Sequence, residues 1–244
     1  MRRVILVLGL LAFMLTGVQA QAPYEQFEST PMLPKADKVD LFKKGLAAHN
    51  KKYHATDPYK ASVWTDITGP TSGYYYWFMG PTTWAQMDAR PAGGEHQLDW
   101  DKNVTPYVES YGEVSYWRMN KDVNYMPEGA SAAAFTKSRG RFHTVKPGQM
   151  DRYIEQMKKV AAVNKHMKSA ASFYLAVRQG ASKGPHVVTY SDFTSWSWLD
   201  SNTNFQKEFD VVHGVGAYAK FIDELDLCLD RSETYDVLSE LVKE

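Results

Sequence analysis

The sequence contains very little cysteine, which limits the chemistry that it can support. Its 244 residues include one cysteine, Cys228, so an internal disulfide and a C-x-x-C motif are both excluded. Cys228 lies in the apolar run 225–229, where we expect a buried and unreactive thiol. A chain of this length can rely on a hydrophobic core instead, and 44% of its residues are apolar.

The common catalytic motifs are also missing. The sequence contains no G-x-x-x-x-G-K-[ST] phosphate loop, no G-x-G-x-x-G after a strand, no H-E-x-x-H and no G-x-S-x-G. Serine, histidine and aspartate are present, but no spacing links them into a triad. The sequence therefore disfavours a hydrolase or a nucleotide-dependent enzyme.

No block of basic residues stands out. The 28 basic side chains balance the 28 acidic ones. Contacts with nucleic acid phosphates need clustered lysine and arginine, so we expect no nucleic acid partner.

Long apolar runs are absent except at the N-terminus. Residues 1–20 read MRRVILVLGLLAFMLTGVQA, with a charged start, an apolar stretch over 4–15 and a Val18-Gln19-Ala20 cleavage pattern. A membrane anchor is the alternative, but a span needs about 20 apolar residues. We therefore predict a cleaved signal peptide, a secreted or periplasmic protein and no membrane span after cleavage. Cleavage removes two arginines and leaves 26 basic and 28 acidic residues.

The sequence does contain a dense aromatic stretch with a partial repeat. Ala61–Trp84 reads ASVWTDITGPTSGYYYWFMGPTTW, and Ala171–Trp196 reads ASFYLAVRQGASKGPHVVTYSDFTSW. Each alternates like two strands joined by a Gly/Pro-containing turn. The helix before each stretch also matches, with AAHNK at 47–51 opposite AAVNK at 161–165.

The predicted elements follow the same order in both halves. In residues 21–125 we predict strand 24–29, helix 35–54, strands 61–68 and 74–79, helix 99–111 and strand 112–120. Residues 126–140 form the connection. In residues 141–244 we predict strand 141–146, helix 149–168, the second strand pair, helix 204–227 and strand 233–241. Each half thus reads βαββαβ.

Two such units predict an α+β protein of two tandem ferredoxin-like repeats. This element order and the internal repeat resemble the dimeric α/β-barrel superfamily. The resemblance implies two antiparallel sheets that pack into a barrel, within one chain in fused members. Two independent ferredoxin-like domains, or a sandwich, are the alternatives. Because one chain supplies both sheets, a monomer suffices for the barrel, and the oligomeric state stays open.

Aromatic and polar residues of these strands are candidates for ligand binding. Tyrosine hydroxyls and tryptophan N–H groups can orient a planar ligand, although core packing explains most such rings equally well. We select Trp64, Tyr74, Tyr76 and Trp117 as candidates, together with Arg118 as an anion partner and His186 as a strand histidine.

His213 is the candidate catalytic residue. It lies on the second helix of the second half, next to Gly214 and Gly216, and glycine there permits a close approach or a helix break. Its position resembles that of the axial ligand in haem-binding members of the superfamily, such as the haem-degrading monooxygenases. That resemblance implies haem as a cofactor. The alternative is a half-buried histidine at a helix edge.

The remaining histidines do not predict a metal site. His49, His54 and His166 lie on or just after lysine-rich helices, where we expect solvated side chains. His49 and His54 are five residues apart, so they would not share a helical edge. His96 could join Asp99 and Asp101, but we favour Asp99 as a charge at the start of a helix.

The sequence therefore favours an exported protein that binds a small apolar or aromatic ligand in a barrel pocket. A monooxygenase or oxidoreductase of the same superfamily, with or without haem, is the second interpretation. A non-catalytic protein that binds a partner through its surface is the third.

Overall fold

The computed structural model describes residues 25–90, 93–180, 184–201 and 203–243. The predicted signal peptide, residues 1–20, lies outside the described residues. In the described part, no helix is both long enough and apolar enough to cross a membrane.

Within these residues the chain forms nine strands and six α-helices. The strands are β1 (Gln26–Pro34), β2 (Ala61–Asp66), β3 (Tyr75–Thr82), β4 (Val108–Tyr111), β5 (Ser115–Tyr125), β6 (Lys137–Val145), β7 (Phe173–Gln179), β8 (Val187–Phe193) and β9 (Leu229–Leu241). The helices are α1 (Val39–Tyr53), α2 (Trp84–Asp88), α3 (Gly94–Asn103), α4 (Met150–His166), α5 (Phe205–His213) and α6 (Ala217–Cys228).

The described strands form a closed antiparallel barrel. Their order is β3-β2-β9-β6-β8-β7-β5-β1-β4, and β1 also pairs with β3. This last pairing closes eight strands into a ring. β4 lies outside the ring order, because it pairs with the end of β1 that β5 leaves free, Met32–Pro34.

The two halves of the chain contribute adjacent four-strand groups. The first supplies β5-β1-β3-β2 and the second supplies β9-β6-β8-β7. The groups meet where β2 pairs with β9 and where β5 pairs with β7. The predicted α+β architecture with two antiparallel sheets joined into one barrel is therefore confirmed.

The helices cover the outside of the barrel, and both hydrophobic cores lie beneath them. Helix α1 places Phe42 and Leu46 against Val63 and Trp77 of the first half. In the second half a larger core lies beneath α4, α5 and α6, with Tyr153 and Phe209 at its centre. On each strand, one set of alternate side chains faces this helix layer and the other faces the barrel interior.

Several predicted boundaries are wrong. The predicted helix 99–111 is α3, which begins at Gly94 and ends at Asn103. A short 3₁₀ turn and strand β4 follow it. Pro106 lacks a backbone N–H and cannot continue an α-helix, and the free edge of β1 recruits Val108–Tyr111 as a strand. The predicted helix 204–227 is two helices, separated at Gly214.

The first strand is longer than predicted. We predicted that it stops before Pro31, but β1 continues to Pro34. Pro31 is tolerated because it lies between the pairing of Ser29 with β5 and that of Met32 with β4. At this point the Pro31 carbonyl accepts a hydrogen bond from the Gly112 N–H at 2.9 Å.

Gly45 allows α1 and α3 to pack at very short distance. A Cβ atom at this position would lie 1.8 Å from the backbone oxygen of Asn103, well inside van der Waals contact. Glycine is therefore required for the present separation of the two helices. This approach brings the side chains of α3 onto the C-terminal end of α1.

Candidate functional site

The inner face of the eight-stranded barrel encloses a space that we call the lumen. Alternation along the strands points one set of aromatic side chains into it. They include Trp64, Tyr76, Phe78, Trp117, Phe142, Tyr174, Tyr190 and Tyr235. All eight are half-buried.

The outer faces of the same strands are packed more tightly. Trp77, Met79, Phe173 and Leu175 face the helices, and at most 3% of each residue is exposed. The outward-facing side chains are buried, whereas the inward-facing rings keep part of their surface exposed to solvent. The strands thus combine a buried outer layer with an inner layer of partly accessible rings.

The lumen rings contact one another around Phe142. The Phe142 ring stacks on Tyr235 at 5.0 Å between centroids, and it meets Trp117 at 6.0 Å and Tyr190 at 6.1 Å edge to face. Tyr174 lies 5.4 Å from Tyr190. Aromatic pairs at these distances and angles attract each other, so the rings form a continuous surface.

Two carboxylates lie at the same level of the barrel wall. Asp66 on β2 pairs with Ser239 on β9, Ser239 with Ser138 on β6, and Ser138 with Asp192 on β8. Ser239 Oγ donates to Asp66 and Ser138 Oγ donates to Asp192, both at 2.6 Å. The Tyr174 hydroxyl donates to the second Asp192 oxygen at 2.7 Å.

Burial raises the pKa of both carboxyl groups, and hydroxyl hydrogen bonds oppose this shift. Burial is also the main reason why the pKa of Tyr190 is far above its usual value, and the charges of Asp66 and Asp192 raise it further. The tyrosine is thus held protonated and can donate a hydrogen bond. This end of the lumen combines hydroxyl donors with carboxylate acceptors.

A cation lies at the other end. Arg178 on β7 is opposite Trp117 on β5, and only 11% of its side chain is exposed. Its guanidinium forms an ion pair with Glu113 at 2.8 Å. The lumen therefore has carboxyl groups at Asp66 and Asp192 and an ion-paired guanidinium at Arg178, with aromatic rings between.

Three of the predicted ligand-binding residues lie together in the lumen: Trp64, Tyr76 and Trp117. Tyr74 lies just before β3, close enough to Tyr76 for an electrostatic interaction. Arg118 is exposed and faces away from the lumen. His186 lies just before β8, where its Nε2 contacts the backbone of Val145, 2.9 Å from O and 3.1 Å from N.

Asp192, Tyr190 and Arg178 are not among the residues predicted from the sequence. Their alternation with buried positions on β7 and β8 was visible in the sequence. However, their joint position depends on pairing between strands that are remote in the chain.

A second cluster lies outside the barrel, between α1 and α3. His49, His54 and His96 place one ring nitrogen each within 4.8 Å of one another. We expected solvated side chains for His49 and His54, and this is wrong: they are 0% and 4% exposed. Only His166 of that group is exposed, and it lies elsewhere on α4.

Two structural details explain this error. α1 ends at Tyr53, and His54 leaves the helical path, so the five-residue spacing does not separate the two rings as it would on a helix. In addition, Asp99 does not lie at a helix start. It is in the middle of α3, and its Oδ2 accepts a hydrogen bond from His49 Nδ1 at 2.8 Å.

Burial keeps these imidazoles neutral. It lowers the pKa of His54 to about 4, against a weaker opposing effect of the hydrogen bond to the Tyr59 carbonyl. Burial also lowers the pKa of His49, where the hydrogen bond to Asp99 opposes it, and that of His96.

Comparison with solved structures identifies the architecture. A proposed monooxygenase of Fusobacterium nucleatum subsp. nucleatum superposes with a TM-score of 0.60 at 9% identity, covering 91% of this chain and 94% of that one. The chain has the dimeric α/β-barrel fold. A mutant chlorite dismutase of Candidatus Nitrospira defluvii matches with a TM-score of 0.55 at 6% identity, over 90% and 92% of the two chains. A haem-binding protein of Thermus thermophilus matches with a TM-score of 0.51 at 6% identity, over 91% and 92%.

At these identities the likeness concerns the fold. No protein-family model matches the chain, and no curated protein matches it. The predicted resemblance to proteins with the dimeric α/β-barrel fold is confirmed. The neighbours also include a haem-binding protein, so the surroundings of His213 bear directly on the haem hypothesis.

The surroundings of His213 do not fit an axial haem ligand. Its Nε2 is 3.1 Å from the backbone oxygen of Lys159, to which it donates, so this nitrogen has no lone pair to offer. Its ring packs on Phe209, which is fully buried in the second-half core. The open surface depression of about 480 Å³ beside α5 is lined by other residues, including Asp210 and Val215. A catalytic role for His213 stays a prediction.

Proposed function

We propose that this dimeric α/β-barrel protein binds a small planar aromatic molecule in its lumen. The observation that carries the proposal is the contrast between the two faces of the barrel strands. Eight inward-facing aromatic rings are half-buried, whereas their outward-facing neighbours are buried beneath helices. Aromatic walls with a few polar groups are typical of small-molecule sites.

The polar groups define the ligand further. Asp66 and Asp192 accept hydrogen bonds, and the Tyr190 hydroxyl can donate one. A hydroxyl or amino substituent on an aromatic ring would satisfy these groups. The ring itself would lie against Phe142 and Trp117.

A titration with 1-naphthol, followed by quenching of tryptophan fluorescence, tests this proposal. We expect saturable binding that weakens at least about tenfold in Trp117→Ala, because one aromatic wall is lost. The matched control is Trp84→Ala, since Trp84 is 42% exposed on α2, and we expect its affinity to stay within about twofold. No saturable quenching in the wild type, or equal weakening in both variants, would overturn the proposal.

An oxygenase that acts on such a ligand is the second candidate, and the Fusobacterium monooxygenase neighbour favours it. Oxygen uptake with 1,4-dihydroxynaphthalene, measured against heat-denatured protein, tests the activity. A haem titration separates the haem-dependent version from the haem-independent one, because haem bound by the protein would shift the Soret band. An unshifted band leaves only the haem-independent version.

Two further expectations belong to this proposal. We propose that the two four-strand groups are tandem ferredoxin-like repeats with boundaries near residues 126–140. We also propose that residues 1–20 direct export to the periplasm or the medium. N-terminal sequencing of the protein from a secreting host would show cleavage after Ala20 if the second proposal holds.

A further inference from the structure

We propose that His49, His54 and His96 bind a divalent transition-metal ion of the zinc class through three Nε2 atoms. This site lies on the outside of the barrel, between α1 and α3. It is separate from the lumen, and the proposal does not depend on lumen binding.

The hydrogen bonds direct the Nε2 lone pairs of two rings into the cluster. His49 Nδ1 donates to Asp99 Oδ2 at 2.8 Å, and His54 Nδ1 donates to the Tyr59 carbonyl at 2.8 Å. A neutral imidazole with its proton on Nδ1 has a lone pair on Nε2. Metal-binding histidines need this tautomer, and a carboxylate or a backbone carbonyl usually fixes it.

The missing hydrogen-bond partner of His49 Nε2 is the strongest single observation in favour of a bound metal ion. The residue is completely buried, and this nitrogen has no hydrogen-bond partner. A buried polar atom without a partner costs about 1–3 kcal/mol. A bound metal ion would supply the missing partner.

The other two rings complete a compact set of nitrogens. His96 Nε2 donates a hydrogen bond to His54 Nε2 at 3.0 Å, and a bound ion would replace this proton once His96 carries its proton on Nδ1 instead. The three ligand nitrogens lie within 4.8 Å of one another. Zinc–nitrogen bonds of about 2.0–2.1 Å place tetrahedral ligand nitrogens about 3.4 Å apart. Displacements of about 1 Å, well within side-chain rotation, would bring all three into range.

The supporting residues resemble those of established metal sites. Asp99 uses its second oxygen to accept a hydrogen bond from Asn103 Nδ2 at 3.0 Å, which fixes the carboxylate. The rings of Trp77 and Trp100 border the cluster edge to face, 4.9 Å from His54 and His49. Such packing limits the rotation of the histidine rings.

The charges around the histidine cluster and its access from solvent are also compatible with a bound cation. Arg90 lies close enough to lower the pKa of all three histidines. However, its guanidinium forms an ion pair with Glu28 at 2.7 Å, which offsets its charge. Lys52 is the other nearby cation and is exposed on α1. His96 is half-buried, so a metal ion can enter from its side.

Three neutral imidazoles suit zinc, cobalt, nickel and copper. With three protein ligands, a tetrahedral ion keeps a fourth position for water or an exogenous group. We assign zinc as the preferred ion because imidazole ligands with a supporting carboxylate are typical of zinc sites.

The test is metal titration of the metal-stripped full chain. Isothermal titration with Zn²⁺ should show one site per chain. Titration with Co²⁺ should produce visible absorption bands of tetrahedral cobalt. We expect His96→Ala and His49→Val to weaken Zn²⁺ binding at least about 100-fold and to abolish the cobalt bands, because a ligand is lost. We expect Asp99→Asn to weaken binding about 10- to 100-fold and to shift the cobalt bands.

His166→Ala is the matched control, because His166 is an exposed histidine on the helix that corresponds to α1. It should bind Zn²⁺ as the wild type does. His96→Ala changes a half-buried side chain, so circular dichroism should show a folded protein. The proposal is overturned if the wild type binds no Zn²⁺ at micromolar concentration. It is also overturned if folded His96→Ala binds as tightly as the wild type, or if His166→Ala loses the site.

Discussion

The two halves of the barrel fill corresponding positions beneath their first helices with different side chains. In α4, Val163 is fully buried in an apolar core. In α1, His49 occupies the corresponding place in the AAHNK and AAVNK repeat, and it is equally buried. Since a valine closes this layer in one half, the fold does not require a histidine in the other. The histidine therefore points to a function.

The two halves also differ in how the later helices pack against the first helix. Gly45 on α1 allows the backbone of α3 to approach, which brings His96 and Asp99 onto His49. The corresponding residue of α4 is Lys159, whose carbonyl accepts the hydrogen bond from His213. One half thus packs one polar helix at close range, and the other packs two helices through apolar side chains.

Replacement of Val163 by histidine should lower the unfolding free energy more than any other substitution proposed below. Val163→His would bury an imidazole in the second-half core, which is apolar. The unsatisfied nitrogens and the added volume should cost roughly 3–5 kcal/mol of unfolding free energy. Urea denaturation followed by circular dichroism measures this loss. An effect below about 1 kcal/mol would show that the second half accommodates a histidine as easily as the first.

Replacement of Gly45, which lies in close contact with α3, should have the next largest effect on the unfolding free energy. Gly45→Ala should reduce the unfolding free energy by about 1–3 kcal/mol, because the new methyl group overlaps the Asn103 carbonyl. Alanine usually stabilises a helix relative to glycine, so a loss of stability is diagnostic of the contact. Lys159→Ala at the corresponding position is the control, and we expect a change within about 0.5 kcal/mol. A stabilised Gly45→Ala protein would contradict this packing.

The sequence predicted the architecture because the repeat is local and periodic. Ala61–Trp84 and Ala171–Trp196 each contain an alternating strand pair, and both pairs occur in the structure as β2–β3 and β7–β8. Trp64, Tyr76 and Trp117 could be selected for the lumen from aromatic content alone. The choice of face could not, since it depends on which side the helices cover.

The parts that could not be predicted depend on tertiary contacts. Strand β4 exists because β1 extends beyond β5, and the local sequence with Pro106 does not indicate it. The histidine cluster depends on the end of α1 at Tyr53 and on the approach of α3 at Gly45. We predicted that the helix continues through His54, and on a continuous helix the rings of His49 and His54 would point in different directions.

Replacement of His49 by the valine of the other half should hardly affect stability. In His49→Val the side-chain volume is similar, an unsatisfied Nε2 is removed, and Asp99 keeps the hydrogen bond from Asn103. We expect an unfolding free energy within about 1 kcal/mol of the wild type in metal-free buffer. Urea denaturation with a chelator present measures this value. A loss of more than about 3 kcal/mol would give His49 a structural role and would weaken the comparison with Val163.

The paired carboxylates of the lumen give the smallest expected effect, which depends on pH. Burial raises the pKa of Asp66 and of Asp192 above 3.8, so the native state binds these protons more tightly than the unfolded state does. Stability from these groups is therefore present below pH 3.8 and decreases as the pH rises towards the native pKa.

Asp192→Asn should remove part of this decrease and keep the hydroxyl partners Ser138 and Tyr174 within reach. The variant should therefore differ from the wild type by about 1 kcal/mol or less, and its relative stability should increase with pH above 3.8. Urea midpoints measured from about pH 3.5 to about pH 7 for the wild type, Asp66→Asn and Asp192→Asn test this trend in both halves. If the difference between wild type and both variants is independent of pH, the two carboxyl groups titrate normally. The acidic end of the lumen would then be open to solvent rather than enclosed by the rings of Tyr76, Tyr174 and Tyr190.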